Sequence, residues 1–202
     1  MKYNPVIHRR RSIRLKGFDY SSEGAYFVTL SVRGRQCLFG DVADGEMKLN
    51  DAGRMVLSIW SELPRYGSSI AVDEFVMMPN HVHGIVFLNN VGAGPRACPD
   101  SGTPTPTRRT NRSHKSGRPQ GGAPTISLPD LVHRFKSLTT NRYRRGVIQS
   151  HWLPFAGKLW QRNYYEHIIR NENELTHVRQ YIRDNPSNWE TDEENPNRRS
   201  DS

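Results

Sequence analysis

The sequence predicts an α+β protein, a ferredoxin-like sandwich with an antiparallel sheet, helices on one face of it and one additional C-terminal helix. Three observations predict this. Segments of β-branched and aromatic residues and segments with apolar residues every three or four positions follow one another as strand, helix, strand, strand, helix, strand, helix. The runs 70–77 and 81–88 are separated only by Met78-Pro79-Asn80, a hairpin-like connection. A chain of 202 residues and 23.2 kDa, with 35% hydrophobic residues and a mean hydropathy of -0.76, suits one core with loose ends.

Each element has a local justification. AYFVTLSVR, residues 25–33, is rich in aromatic and β-branched residues and reads as a strand entered at Gly24. A short hairpin or loop covers 38–49. Asn50 or Asp51 then caps a helix whose apolar positions are Ala52, Val56, Ile59, Trp60 and Leu63, and Pro64 ends it. The strand pair follows, with Asp73 and Glu74 inside its first member and Asn80 read as a turn residue. Ser127 with Asp130 has the form of a helix start, and Leu128, Leu131, Val132, Phe135 and Leu138 make one stripe. The aromatic run LWQRNYYEHII, 159–169, reads as a single strand. Asn171 with Glu174 caps a last helix, marked by Leu175, Val178 and Ile182 and ended before Pro186.

Charge divides the chain differently. The formal net charge is +9. Residues 1–18 form a basic arm with six basic and no acidic side chains, Arg9, Arg10, Arg11 and Arg14 among them. Residues 89–125 hold six of the thirteen prolines, no aromatic residue and an excess of five positive charges, so they read as a disordered basic insertion in the 19–189 domain. Residues 190–202 read as a disordered acidic tail. A polyanion is the partner this balance suggests, although basic arms also serve only as solvated surface. Cys37 and Cys98 have neither metal-ligand spacing nor a disulfide framework and read as free thiols. No apolar run spans a membrane and no signal peptide is visible, so the expectation is a soluble, cytoplasmic protein.

His81-Val82-His83 on a strand places two imidazoles on one face about 7 Å apart along the backbone, where they are able to share a divalent ion. Alone, that spacing also fits two polar residues on a wet strand face. On the last helix Tyr181 and Asn185, four apart, face the same way and offer a phenol and an amide. A metal-binding pair with such a helix is far more specific than either part.

The segments FVMMPNHVHGIV, LVHRFKSLTTNRYR, LWQRNYYEHIIRNENEL and VRQYIRDNP, with the arm-proximal RRRSIRLKGFDYSSEGAYFVTLSVRGRQCLFG before them, resemble the IS200-like single-tyrosine transposases, and within them the REP-associated tyrosine transposases. The resemblance implies an HUH endonuclease fold, with His81 and His83 as the two histidine ligands of Mg²⁺ or Mn²⁺ and Tyr181 as nucleophile. Relatives in the insertion-sequence branch carry Gln as third ligand four residues after the tyrosine; this chain has Asn185. The implied activity is cleavage and rejoining of single-stranded or hairpin DNA from palindromic repeats through a 5′-phosphotyrosine, by a monomer or a homodimer in the bacterial cytoplasm near the nucleoid. The alternatives are a repeat-hairpin-binding protein without turnover and an HUH replication initiator or relaxase.

The candidate DNA contacts are Arg9, Arg10, Arg11, Arg14, Lys136 and Arg142, Lys136 being equally open to a solvated helix position. Tyr164 and Tyr165 are rival nucleophiles that packing or base stacking also explains. Trp160 reads as core, and His167 and His177 as surface residues.

Overall fold

The computed structural model describes residues 18–89 and 126–198. The expected arm and insertion, and with them Arg9, Arg10, Arg11, Arg14 and Cys98, lie outside the described residues, apart from boundary positions. In chain order the elements are β1 (Gly24–Ser31), β2 (Gly40–Ala43), β3 (Glu46–Leu49), α1 (Asp51–Ser61), β4 (Ile70–Met77), β5 (His81–Leu88), α2 (Leu128–Ser150), β6 (Tyr165–Ile169) and α3 (Glu172–Asp184). The main sheet runs β4-β5-β1-β6 with every neighbouring pair antiparallel, and β2-β3 is a separate hairpin. Setting that hairpin aside, this is the ferredoxin-like strand order.

Strand alternation gives the sheet two different faces. Tyr26, Val28 and Leu30 of β1 and Val82, Val86 and Leu88 of β5 are buried in one cluster with Val56, Ile59 and Trp60 of α1 and Leu131, Val132 and Phe135 of α2. Gly84 belongs to this face, and a Cβ there would stand 2.4 Å from the Trp60 ring, so its lack of a side chain is what lets α1 lie against β5. The opposite face carries Phe27 and Ile85, which with Ile169 pack against Leu175 and Ile182 of α3. Helices α1 and α2 therefore share one face, and α3 takes the other.

Local chemistry sets the helix starts. Asn50 accepts a hydrogen bond from the Gly53 N–H (2.9 Å), Ser127 from Asp130 (3.3 Å) and Asn171 from Glu174 (2.9 Å). Helix α3 is also tied to the sheet edge: Arg179 Nε donates to Asp73 and Arg183 Nε to Glu74, each at 2.9 Å. The register of β4 shifts between Val72 and Phe75, and this irregularity lets two consecutive carboxylates serve the same helix.

Two expectations are corrected. The run 159–169 is not one strand. Trp160 makes an isolated bridge to Val32, and β6 begins at Tyr165. Between them Lys136 Nζ reaches the carbonyls of Gln161 (2.9 Å) and Asn163 (3.2 Å), which takes those acceptors out of any ladder. Nor is the segment after 190 a loose tail as far as Arg198. A 3-10 turn covers Pro186–Thr191, Asn195 is buried and donates to the Trp189 carbonyl, and Glu194 meets Arg35 at 3.3 Å. Composition alone marks this acidic stretch as solvated; its polar contacts to distant residues fold it back.

Candidate metal and nucleophile site

The α3-facing side of β5 brings His81 and His83 to one spot, both buried. Their Nε2 atoms are 3.0 Å apart. The other ring nitrogens are held from behind, His81 Nδ1 by Asn80 Oδ1 (2.9 Å) and His83 Nδ1 by Thr29 Oγ1 (2.8 Å). Asn80 fixes more than a position. Its Nδ2 donates to the carbonyls of Arg35 (3.0 Å) and Glu194 (2.7 Å), so its Oδ1 must face His81. His81 Nδ1 therefore carries the proton, and Nε2 presents a bare lone pair to its neighbour.

Burial keeps both rings neutral. It pushes His81 down to about 4 against the opposing pull of Asp192, and it holds His83 well below the usual imidazole value with help from His81. Two neutral nitrogens aimed at one point suit a shared cation.

Oxygen donors lie alongside. Asp192 Oδ2 is 3.7 Å from His81 Nε2, and one ligand atom from each of His81, His83 and Asp192 lies within 4.8 Å of the others. Asn185, which closes α3, is buried, and its Oδ1 accepts no hydrogen bond among the described residues. Its amide is near enough to favour charge on either imidazole. An orphaned amide oxygen, a carboxylate and two imidazole nitrogens fit a divalent ion with mixed N/O ligation.

The phenol comes from the facing helix of the same chain. The Tyr181 ring centroid lies 5.4 Å from that of His83 and 5.9 Å from that of Phe27, and the residue stays half exposed. Burial raises its proton affinity above that of a free phenol, Asn185 works the other way, and Asp192 and Glu193 raise it further. These groups enclose a cleft of ≈ 570 Å³ walled by Phe27, Thr29, His83, Tyr165, Tyr181, Asn185 and the run Asp192, Glu193, Glu194.

The structure thus brings His81, His83, Tyr181 and Asn185 together. It separates the rival tyrosines: Tyr165 shares the cleft, whereas Tyr164 packs toward the α1/α2 face beneath Lys136. Lys136 Nζ donates to the Gln161 and Asn163 carbonyls. Arg142 lies 3.6 Å from Glu62, away from the cleft lining. His167 pairs with Glu174 at 2.6 Å, and Trp160 is core, donating to Thr139. Two residues went unseen in the sequence: Asp192, hidden in an acidic run, and Asn80, read as a turn residue.

The family model described as Transposase IS200 like matches residues 121–185, the stretch that contains α2, β6, α3 and Tyr181. An uncharacterized protein of Haemophilus influenzae (strain Rd) is 39% identical over 192 residues, covering 95% of this chain and 96% of that protein. The chain belongs to the IS200-like transposase family. The solved structure of a REP-associated tyrosine transposase bound to a REP hairpin aligns with a TM-score of 0.49 and 18% identity, over 87% of this IS200-like chain and 72% of that one. Among the described residues of this transposase no helix is long and apolar enough to cross a membrane.

Proposed function

We propose that this transposase is a metal-dependent single-stranded DNA endonuclease and strand transferase that acts at hairpin ends derived from palindromic repeats, with Tyr181 as nucleophile. The observation that carries the reading is that the Tyr181 ring stands 5.4 Å from the ring of His83, whose Nε2 is paired with that of His81, all in one chain.

His81 and His83, with Asp192 and Asn185, would hold the ion. A bound Mg²⁺ or Mn²⁺ supplies Lewis-acid polarisation of the scissile phosphate and offsets charge gathering on its oxygens. The protein supplies position. Thr29 and Asn80 hold the two rings from behind so that their Nε2 atoms face each other, and the Arg179 and Arg183 ties to β4 fix the helix that carries the phenol. Burial makes the Tyr181 proton harder to remove, so the attack needs a base or the ion to help take it, and a proton returns to the departing 3′ oxygen. The Tyr181 oxygen bonds to phosphorus, the bond from phosphorus to the 3′ oxygen breaks, and that oxygen leaves as a 3′-hydroxyl. The product is a 5′-phosphotyrosine. A different 3′-hydroxyl reverses the step and joins new ends without ATP.

The test is a labelled hairpin oligonucleotide with single-stranded flanks, incubated with Mn²⁺ and run on a denaturing protein gel. Wild type should yield a covalent adduct, Tyr181→Phe none, and Tyr165→Phe an adduct as before. Adduct surviving in Tyr181→Phe moves the nucleophile to Tyr165, and binding without any adduct makes the protein a hairpin-binding module.

A further inference from the structure

The Tyr181 cleft is a poor place to anchor a polyanion. Among the described residues no lysine or arginine lines it, and three carboxylates, Asp192, Glu193 and Glu194, do. A strand entering it must be held by positive charge elsewhere. A second groove of ≈ 370 Å³ lies between α2 and residues 158–162, and its charge pattern is the reverse. Among the described residues its titratable lining is His133, Lys136, Arg144, Lys158 and Arg162, with no acid.

The cations there are not all equivalent. Lys136 is committed to the carbonyls of Gln161 and Asn163, so it shapes the groove wall. Arg144, Lys158 and Arg162 are exposed, and no ion pair among the described residues involves them. By contrast Arg35, Arg142, Arg179 and Arg183 each lie against a carboxylate. Three exposed cations without a carboxylate partner around one groove are poised for phosphate.

The groove is also built into the same sheet as the cleft. The Gln161 N–H donates to Ser31 (2.9 Å), Trp160 bridges Val32, and Ser31 is the register partner of His81. The Gln161 backbone thus stands two strand spacings from that of His81, about 10 Å along the sheet, with the groove on the α2 face and the cleft on the α3 face. From Arg162 the chain runs into Tyr165, which lines the cleft. The segment 162–165 links one depression to the other.

We infer that the α2/158–162 groove is a second DNA-binding surface, in which Arg144, Lys158 and Arg162 hold backbone phosphates of a strand that passes around the β6 edge of the sheet and enters the Tyr181 cleft further along. This rests on the DNA-strand reading of the cleft. Electrostatic affinity and chemistry are thereby divided between two depressions, and the acidic cleft admits a phosphate only where a cation is bound and the groove grips the flanking chain.

The experiment measures affinity of the full chain for a fluorescent hairpin oligonucleotide with single-stranded flanks, in chelator so that no cleavage intervenes, from 50 to 200 mM salt. Each single-strand phosphate contact contributes about 0.7 to the slope of log affinity against log salt. Arg144→Ala/Lys158→Ala/Arg162→Ala should therefore lower the slope by about 2 and weaken binding more than tenfold at the lowest salt. Lys48→Ala/Arg54→Ala/Arg65→Ala removes the same net charge away from the groove and should change the slope by less than about 0.5. Arg144→Lys/Arg162→Lys should keep it. Equal losses in the two alanine triples, no loss in the groove triple, or loss in the lysine variant as large as in alanine each overturns the assignment. An adduct at Tyr181 with an unaffected groove triple refutes the groove and leaves the proposed function standing. A groove-dependent slope with no adduct in wild type refutes the catalytic reading instead.

Discussion

Removing the Asn80 side chain should damage folding and ion binding together, by amounts that can be worked from its contacts. Asn80 is fully buried and makes three hydrogen bonds: to the carbonyls of Arg35 and Glu194 and to His81 Nδ1. At about 1 kcal/mol net for each, Asn80→Ala should lose about 3 kcal/mol. For a domain of this size that lowers Tm by about 6–12 °C. The ion should suffer through geometry: with no acceptor behind Nδ1, His81 is free to change tautomer and turn its lone pair out of the cleft. Loss of such a supporting hydrogen bond typically costs about 10–100-fold in metal affinity. Asn80→Asp keeps the acceptor and loses both donors, so it should be destabilised but bind the ion more tightly than Asn80→Ala. Differential scanning fluorimetry in chelator reads the first effect, and calorimetric titration with Mn²⁺ the second. A Tm within 2 °C of wild type, or Mn²⁺ affinity within twofold in Asn80→Ala, would refute the reasoning.

Further outcomes follow from the same geometry. Titrating Mn²⁺ into the chelator-treated protein to about 100 times its Kd should stabilise it by about 2.7 kcal/mol, and Asp192→Asn should reduce the gain; equal Tm rises would remove Asp192 from the ligand set. Gly84→Ala forces a methyl group against Trp60 2.4 Å away and should cost about 1–3 kcal/mol, read as a lowered urea midpoint. The buried Tyr143 phenol donates to the Leu153 carbonyl and is pushed up to about 12 from an ordinary 10.0. Its folded value lies above its unfolded one, so the stability it contributes is complete below pH 10 and is lost as pH rises toward 12. Tyr143→Phe should flatten the fall in Tm over that window, and an unchanged pH profile would count against the buried phenol.

What the sequence reveals follows the range of the interactions involved. The starts of α1, α2 and α3 were legible because Asn50, Ser127 and Asn171 cap groups three residues away. The bounds of β4 and β5, and the shared face of His81 and His83, were legible because strand alternation is a local rule. The role of Asn80 was not, since its two carbonyl partners are 45 and 114 positions distant. Asp192 stands in an acidic run whose composition is that of a solvated tail, and only the return of the chain past α3 gives it a histidine neighbour. The break in the 159–169 run has the same origin, because a lysine 25 positions upstream captures its first free carbonyl. The family resemblance put Tyr181 forward as a nucleophile; what the sequence did not show was the pair of arginine ties that holds α3 over β5.

The two halves of the cleft are made at different times. β5 precedes residues 90–125 in the chain, while α3 and Asp192 come after them. During translation, where upstream parts fold first, a ribosome-bound or prematurely terminated product would own the imidazole couple without Tyr181, Asn185 or Asp192 beside it. The oxygen donors and the α3 phenol thus reach the histidine couple only once the late helix has docked across the sheet.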